Sequence, residues 1–591
     1  MTARSFAKEY DLFLSHKLRY LEHNGVLVPE PPSPRHLEIW VRGELLRLTP
    51  KQEEMAVAWA RKDGTPYVED PVFIRNFLDD FSVALGVNPP LELAEVDFQP
   101  AIDIVLQERA DKEALTREER KAQAAERKAQ REALKEQFGY AIVNGERVEL
   151  GAYIAEPSGI FMGRGEHPLR GRWKEGAAQG DITLNLSPDA PMPPGDWLER
   201  VWQPESLWVA RWEDKLSGKL KYIWLSDTAP IKQTREAQKF DKAIELDAAL
   251  DKVRTRIQKG LISSNPRRKM VATACYLIDT LCLRVGDEKD EDEADTVGAT
   301  TLRPEHVTLY PDGTAVFNFL GKDSVEWNKT LQLPPIVAKN LAELVENAHP
   351  PATNAGNDDK PQIFPLITSR SVNRFLSSAM PGLTAKVFRT HHATEVVQTS
   401  LEEAQVEPED PEYVKWGAVT RANLQAAELC NHTKQVAAGF PERLKRMQAR
   451  EKTLQERVRQ RETQLQERKL KLARLPNEAI EKFQACTTEK QRQRAEISYK
   501  KRIARAEKRV DAARRSLRKA RAALGKLQTQ MAVNTEKRAW NLNTSLKSYI
   551  DPRVYYRWGQ KVDYDVLERY YPKTLRRKFA WARQDESADD T

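Results

Sequence analysis

The side chains able to do chemistry in this 591-residue chain are scattered along it. No P-loop, no dinucleotide-binding glycine fingerprint and no HExxH motif occurs. GRGEHPLRG, at 163–171, is glycine-rich but lacks the spacing and the strand–helix context of a phosphate loop. The nine His are dispersed, and the adjacent pair His391-His392 is not metal evidence by itself. An enzyme built on this sequence would work without metal or nucleotide. Five basic or phenolic residues stand at informative places. Arg284 follows an apolar stretch in LCLRVGDEKDEDEADTVG, ahead of acids that could simply pair with it. Lys322, in FLGKDS, falls at a hairpin tip, where a solvated lysine is the ordinary reading. Arg389, in TAKVFRTHHAT, could serve a plain ion pair. His432, in AELCNHT, ends a helix, and capping would account for it. Tyr549 competes with Tyr555, Tyr556, Tyr564, Tyr570 and Tyr571. Taken singly, none of the five declares a function.

The elements that must position them can be read coarsely. VPEPPSPRHLEIWVRGELLRLTP reads as a Pro-rich loop, then strand, Gly turn and strand. Residues 101–138 look like one or two polar helices, and 140–230 like short strands punctuated by Gly and Pro. From 235 to 435 the sequence is mainly helical. MVATACYLIDTLCLRV should be a buried helix, and 313–333 a hairpin with Gly321-Lys322-Asp323-Ser324 at its turn. Farther on, Ile503, Ala506, Val510, Ala513, Leu517, Ala520, Leu524, Leu527 and Met531 step alternately by 3 and 4, a sustained heptad seam. Met447, Leu454, Val458, Leu465, Leu472 and Leu475 make a matching ladder upstream, and Pro476-Asn477 should end that first helix. Two seams with a break predict an antiparallel helical hairpin with arms of roughly 30 residues, about 45 Å each.

Charge concentrates on that hairpin. Residues 441–540 hold 30 Lys+Arg and 12 Asp+Glu, a net of +18, so the other 491 residues sum to −10. A basic element on a mildly acidic body points to a polyanion, most plainly nucleic acid. At 40% hydrophobic and 31% charged residues the chain is globular, long enough for three or four domains of roughly 150 residues. It has no apolar run of about 18 residues and no signal-peptide core at MTARSFAKEY, which argues against secretion and membrane insertion. Cys275, Cys282, Cys430 and Cys486 are too few and too scattered for a disulfide frame or zinc ribbon, and fit a reducing interior.

Read together, the five residues mean more. The ordered set LRVGDEK, FLGKDS, TAKVFRTHHA, CNH and SLKSYIDPR resembles the eukaryotic-like type IB DNA topoisomerases. So do LEHNG at 21–25, LTPKQEE at 48–54, GRGEHP at 163–168, ADTVG at 294–298 and RKFAWA at 577–582. The resemblance implies an α+β multidomain clamp. Its parts would be a mixed α/β DNA-clamp cap at 1–230, a mainly helical catalytic core of the topoisomerase IB/tyrosine recombinase type at 231–435, an antiparallel basic coiled-coil linker at 436–540, and a small helical C-terminal domain at 541–591 carrying the nucleophile. It implies a catalytic pentad of Arg284, Lys322, Arg389, His432 and Tyr549. DNA contacts would come from Arg164 and Asp323 near the cleavage site, Lys221 and Tyr222 on a DNA-facing strand, and Thr544 and Ser548 beside the nucleophile.

The implied reaction is transesterification. Tyr549 attacks a phosphodiester, a 3′-phosphotyrosine forms, the free strand rotates, and religation reverses the step. No ATP, metal or other cofactor is required, because bond energy is stored covalently. A phenol of pKa about 10 needs help at neutral pH. Two guanidiniums and an imidazole can hold the charge developing on the phosphoryl oxygens, and a lysine can protonate the leaving 5′-oxygen. The partner is double-stranded DNA, bound by a monomer closing as a clamp; no membrane is involved. The place of action is chromosomal DNA inside the cell, in the nucleoid of an archaeon or the nucleus of a eukaryote. Lacking a long charged amino-terminal extension, the chain reads as an archaeal-type or minimal member. It departs from the family at Ser548, where Asn usually precedes the nucleophile. Two other readings stay open. A site-specific tyrosine recombinase shares the chemistry, although Lys386 stands where recombinases carry His three residues before the second arginine. A non-enzymatic coiled-coil DNA-binding protein is the other.

Overall fold

The computed structural model describes residues 17–163, 167–286, 297–322, 325–350 and 360–583. Arg164 and Asp323, expected near a cleavage site, lie outside the described residues. The chain divides into two compact units, Met1–Val387 with Arg577–Trp581, and Phe388–Arg576 with Ala582–Thr591. Among the described residues no helix is long and apolar enough to cross a membrane. The four cysteines are unbridged.

The first unit is built on several packed layers. Strands Glu38–Val41, Glu44–Arg47 and Val96–Asp97 form a sheet covered by the helices Pro50–Ala60, Pro71–Leu85 and Gln99–Ala114. Its core is aromatic: Trp59, Phe73, Phe77, Phe81 and Phe98 are buried, with Trp59 stacked on Phe77 at 4.7 Å. A second core lies between the sheet of Leu21–His23, Tyr140–Val143 and Glu146–Glu149 and a four-stranded sheet. The latter runs, in spatial order, Glu199–Val201, Thr183–Asn185, Trp208–Glu213 and Leu220–Trp224. The polar stretch read as one or two helices is two, Gln99–Ala114 and Arg117–Phe138, the second opened by Thr116, whose hydroxyl accepts from the Glu119 N–H.

The helical part of this unit carries two of the singled-out residues. Helix Pro266–Leu281 starts where the Asn265 side chain accepts the Arg268 N–H, with Pro266 at the first helical position. It is buried from Met270 to Ile278 on nearly every face and stops at Cys282, whose φ of 52° turns the chain out toward Arg284. Strands Val307–Leu309, Thr314–Gly321 and Val325–Gln332 make an antiparallel sheet, and the Gly321↔Val325 pair closes the hairpin whose turn begins at Lys322. Arg577–Trp581 packs on helix Pro230–Leu261, with Phe579 against Phe240 and Lys578 Nζ 3.3 Å from the Glu236 carboxylate.

The second unit is helical. The basic segment folds as two helices, Phe440–Gln484 and Glu489–Glu536. Ties from Glu451 to Gln528, Glu462 to Arg521, Arg468 to the Arg509 carbonyl and Glu478 to Arg502 descend one arm as they climb the other, so the arms run antiparallel. Val510, Ala513, Leu517, Ala520 and Leu527 are buried, as the heptad requires. The arms are longer than the sequence suggested: 45 and 48 residues, about 68 and 72 Å at 1.5 Å per residue. Pro476 does not end the first helix, which continues to Gln484. Proline inside a helix costs about 3 kcal/mol, but Leu475 and Ala479 on either side of it are buried, and each buried Leu returns about 1.5–3 kcal/mol. The turn falls instead at 485–488, where Thr488 caps the second arm.

Candidate active site

Three of the five residues meet in the second unit. His432 is delivered by the end of helix Glu412–Leu429. Asn431 adopts φ 54°, the His432 N–H reaches back to the Ala427 carbonyl (2.8 Å), and the Asn431 N–H to Glu428 (3.1 Å). This is a Schellman closure with Asn in the left-handed position. The capping role inferred from AELCNHT is thus real, and it is what aims the imidazole. Arg389, on helix Ala385–Glu403, donates from Nη2 to the Cys430 carbonyl (2.8 Å), satisfying a carbonyl at that helix end where its positive charge suits the dipole. The same Nη2 lies 3.4 Å from His432 Nε2.

Tyr549 follows helix Leu542–Ser548 and completes the group. Its ring stacks on His432 at 5.4 Å between centroids and lies under the Arg389 guanidinium at 4.8 Å. Its backbone is fixed as well: the Tyr549 N–H donates to the Ser545 carbonyl, and Thr394 Oγ accepts the Asp551 N–H (3.1 Å) while donating to the Tyr549 carbonyl (3.2 Å). Asp551 is itself clamped by Arg553 at 2.8 Å. One helix therefore grips the tyrosine twice, through Arg389 on the ring and Thr394 on the backbone.

Ser545 and Thr394 were not singled out in the sequence. Ser545 is fully buried, with Oγ 2.7 Å from His432 Nδ1, and this contact sets the plane of the imidazole. The available signal was spacing: Ser545 is four residues before Tyr549, on the same helix face. Thr394 gives no comparable sign. Thr544 and Ser548 flank Ser545 on that helix and are partly exposed.

The base of the long hairpin explains how His432 and Tyr549 come together across so much sequence. Thr433 and Trp540 form an antiparallel bridge. The Lys434 N–H donates to Ala539 (2.8 Å), and the Asn541 N–H to the His432 carbonyl (2.7 Å). The outgoing and returning strands are clasped where they leave and rejoin the fold.

Burial pushes the Tyr564 and Tyr570 hydroxyls up to about 12, and those of Tyr555 and Tyr571 well above the ordinary phenol value.

Arg284 and Lys322 belong to the first unit, and both are exposed. They are joined through the stretch at 297–299. The Ala299 N–H donates to the Arg284 carbonyl (2.9 Å), and the Val297 N–H to the Leu320 carbonyl (2.8 Å), two residues before Lys322. Gly298 allows this approach: a Cβ there would come within 2.5 Å of the Gly286 backbone and 3.0 Å of the Arg284 carbonyl. Lys221 and Tyr222 sit on the edge strand Leu220–Trp224 of the same unit, both partly exposed. Lys221 Nζ is 3.6 Å from Asp214, and Tyr222 packs between Trp208 and Trp224. Arg211, opposite Tyr222, lies 5.0 Å from the Trp208 ring.

A guanidinium and an imidazole held against one phenol suit reaction at an anionic phosphoryl centre. Family models match nearly end to end: the DNA binding fragment of eukaryotic DNA topoisomerase I over residues 16–225, its catalytic core over 228–465, and the C-terminal topoisomerase domain over 521–590. The chain belongs to the eukaryotic DNA topoisomerase I family. It is 31% identical over 574 residues to DNA topoisomerase 1 beta of Arabidopsis thaliana, covering 96% of this chain and 58% of that one. It is 36% identical over 439 residues to DNA topoisomerase 1 of Candidozyma auris, covering 72% of this chain and 57% of the relative. Against the human mitochondrial DNA topoisomerase I the identity is 32% over 581 residues, covering 96% and 90%. The chain thus spans less than two thirds of the plant and yeast relatives and most of the human mitochondrial one. These relatives come from a plant, a yeast and a mammal, and lend no support to an archaeal source.

Proposed function

We propose that this chain relaxes positive and negative supercoils in double-stranded DNA as a type IB topoisomerase, with Tyr549 as the nucleophile. The observation that carries the reading is the convergence of Arg389, His432 and Tyr549 in one buried cluster. Tyr549 attacks phosphorus, leaving a 3′-phosphotyrosine and a free 5′-hydroxyl. Arg389 and Arg284 grip the non-bridging oxygens, and His432 donates a third hydrogen bond there. Lys322 enters from its hairpin tip as general acid on the departing 5′-oxygen and as base in religation. Three cationic or polar donors supply the charge stabilisation, so neither metal nor ATP takes part in the chemistry. EDTA therefore leaves relaxation intact.

Arg164, Asp323, Lys221, Tyr222, Thr544 and Ser548 are the proposed DNA contacts, and the aromatic edge around Tyr222 gives the backbone a surface to lie against. A single chain closes as a clamp around the duplex on chromosomal DNA. The paired helices 440–536 are its coiled-coil linker, whose loose, salt-sensitive contacts act as friction on strand rotation. The deciding experiment is denaturant trapping of the protein on DNA, followed by sequencing of the attached peptide. A peptide containing Tyr549 is expected; attachment elsewhere overturns the assignment. Relaxation of arbitrary plasmid by a monomer separates this reading from a recombinase, which demands paired sites.

A further inference from the structure

Among the described residues, one group of three metal-ligating side chains comes together, and the proposed chemistry does not use it: His391, His392 and Glu395. We infer that these residues form a binding site for a Zn²⁺-class transition-metal dication, on the helix that carries Arg389. Glu395 lies four residues after His391 and three after His392, the two helical spacings that bring side chains onto one face. The geometry is already partly assembled. The Glu395 carboxylate is 3.7 Å from His391 Nε2 and 3.5 Å from His392 Nδ1, and the three ligand atoms lie within 4.8 Å of one another. Zinc bonds of about 2.0–2.1 Å in a tetrahedron need ligand atoms about 3.4 Å apart. Both edges to the carboxylate are close to that value, and the imidazole–imidazole edge needs the larger adjustment. His391 is fixed by burial, whereas the Glu395 side chain is 59% exposed and can swing inward.

The donor set selects the ion. Two imidazole nitrogens and one carboxylate suit Zn²⁺, Co²⁺ or Ni²⁺; Mg²⁺ and Ca²⁺ prefer oxygen throughout. Three protein ligands leave a fourth position for water or an anion. His392 is one helical turn beyond Arg389, so an occupied site adds a fixed dication beside the proposed phosphate-binding arginine. An occupied site supplies nothing to the transesterification.

The test titrates Co²⁺ into the full-length chain and follows the visible d–d absorbance of tetrahedral or five-coordinate cobalt. A saturable signal displaced by Zn²⁺ is expected, with affinity at least tenfold weaker in His392→Ala and in Glu395→Gln. Thermal unfolding is the second readout: Zn²⁺ should raise the midpoint of the native chain and leave that of the doubly substituted chain unmoved. Equal titration of the native and doubly substituted chains, or no saturable signal, overturns the inference. Neither readout involves DNA, so its failure would not touch the proposed relaxation activity.

Discussion

Arg389, His432 and Tyr549 are 4%, 7% and 5% exposed, whereas Arg284 and Lys322 stand in the open on the other unit. The first three are structural parts as much as chemical ones. Arg389 satisfies a helix end, His432 belongs to a cap, and the Tyr549 backbone is held by Thr394. The other two are placed through the backbone of the 297–299 stretch. Substitution in the buried group should therefore cost more stability than substitution in the exposed pair, beside the loss of activity.

The sharpest test removes only the hydroxyl of the proposed nucleophile. Tyr549→Phe keeps the ring that stacks on His432, so covalent trapping and relaxation should fall below detection while DNA affinity stays within a few-fold. Comparable loss of DNA binding would mean that the tyrosine has been misassigned. Next in size is Lys322→Ala, expected to slow cleavage by about 10²–10⁴-fold, the usual worth of a positioned acid. A substrate whose leaving group is a 5′-thiol needs no proton, and should recover most of that loss. If it does not, Lys322 is not the acid.

The two arginines test the contrast directly. Arg389→Ala and Arg284→Ala should each lower cleavage by about 10²–10³-fold, the scale of one lost oxyanion donor. Arg389→Ala should lower the thermal midpoint more, because it leaves the buried Cys430 carbonyl without its donor. Equal thermal shifts would erase the distinction between the two regions. The smallest effect concerns the hairpin. Removing equal lengths from both arms, with the Thr433–Trp540 bridge kept, should leave cleavage within a few-fold and make DNA binding more salt-sensitive.

Much of this is legible in the sequence. The heptad steps at 503–531 named the buried seam, and the hairpin ending at Lys322 followed from its turn residues. The proposed pentad emerges only from motifs taken in order, since each member also has an ordinary explanation, and for His432 that explanation holds: its backbone closes a helix end. What stayed hidden depends on tertiary contacts. Pro476 signals a break locally, and only the buried neighbours Leu475 and Ala479 override it. Ser545 and Thr394 are small hydroxyl residues whose importance comes from what lies across from them. The burial that raises the Tyr555 and Tyr571 hydroxyls is likewise invisible in composition.

The clasp at Thr433 and Trp540 also bears on how the protein reaches its native state. A floppy tether of about 100 residues between His432 and Tyr549 would demand about 4 kcal/mol of closure entropy before the two rings could meet. Rigid arms reduce that demand: the chain reverses in four residues at 485–488, so the arms can pair from that turn toward the base. A partnership remote in sequence thereby becomes a nearest-neighbour event at the final step.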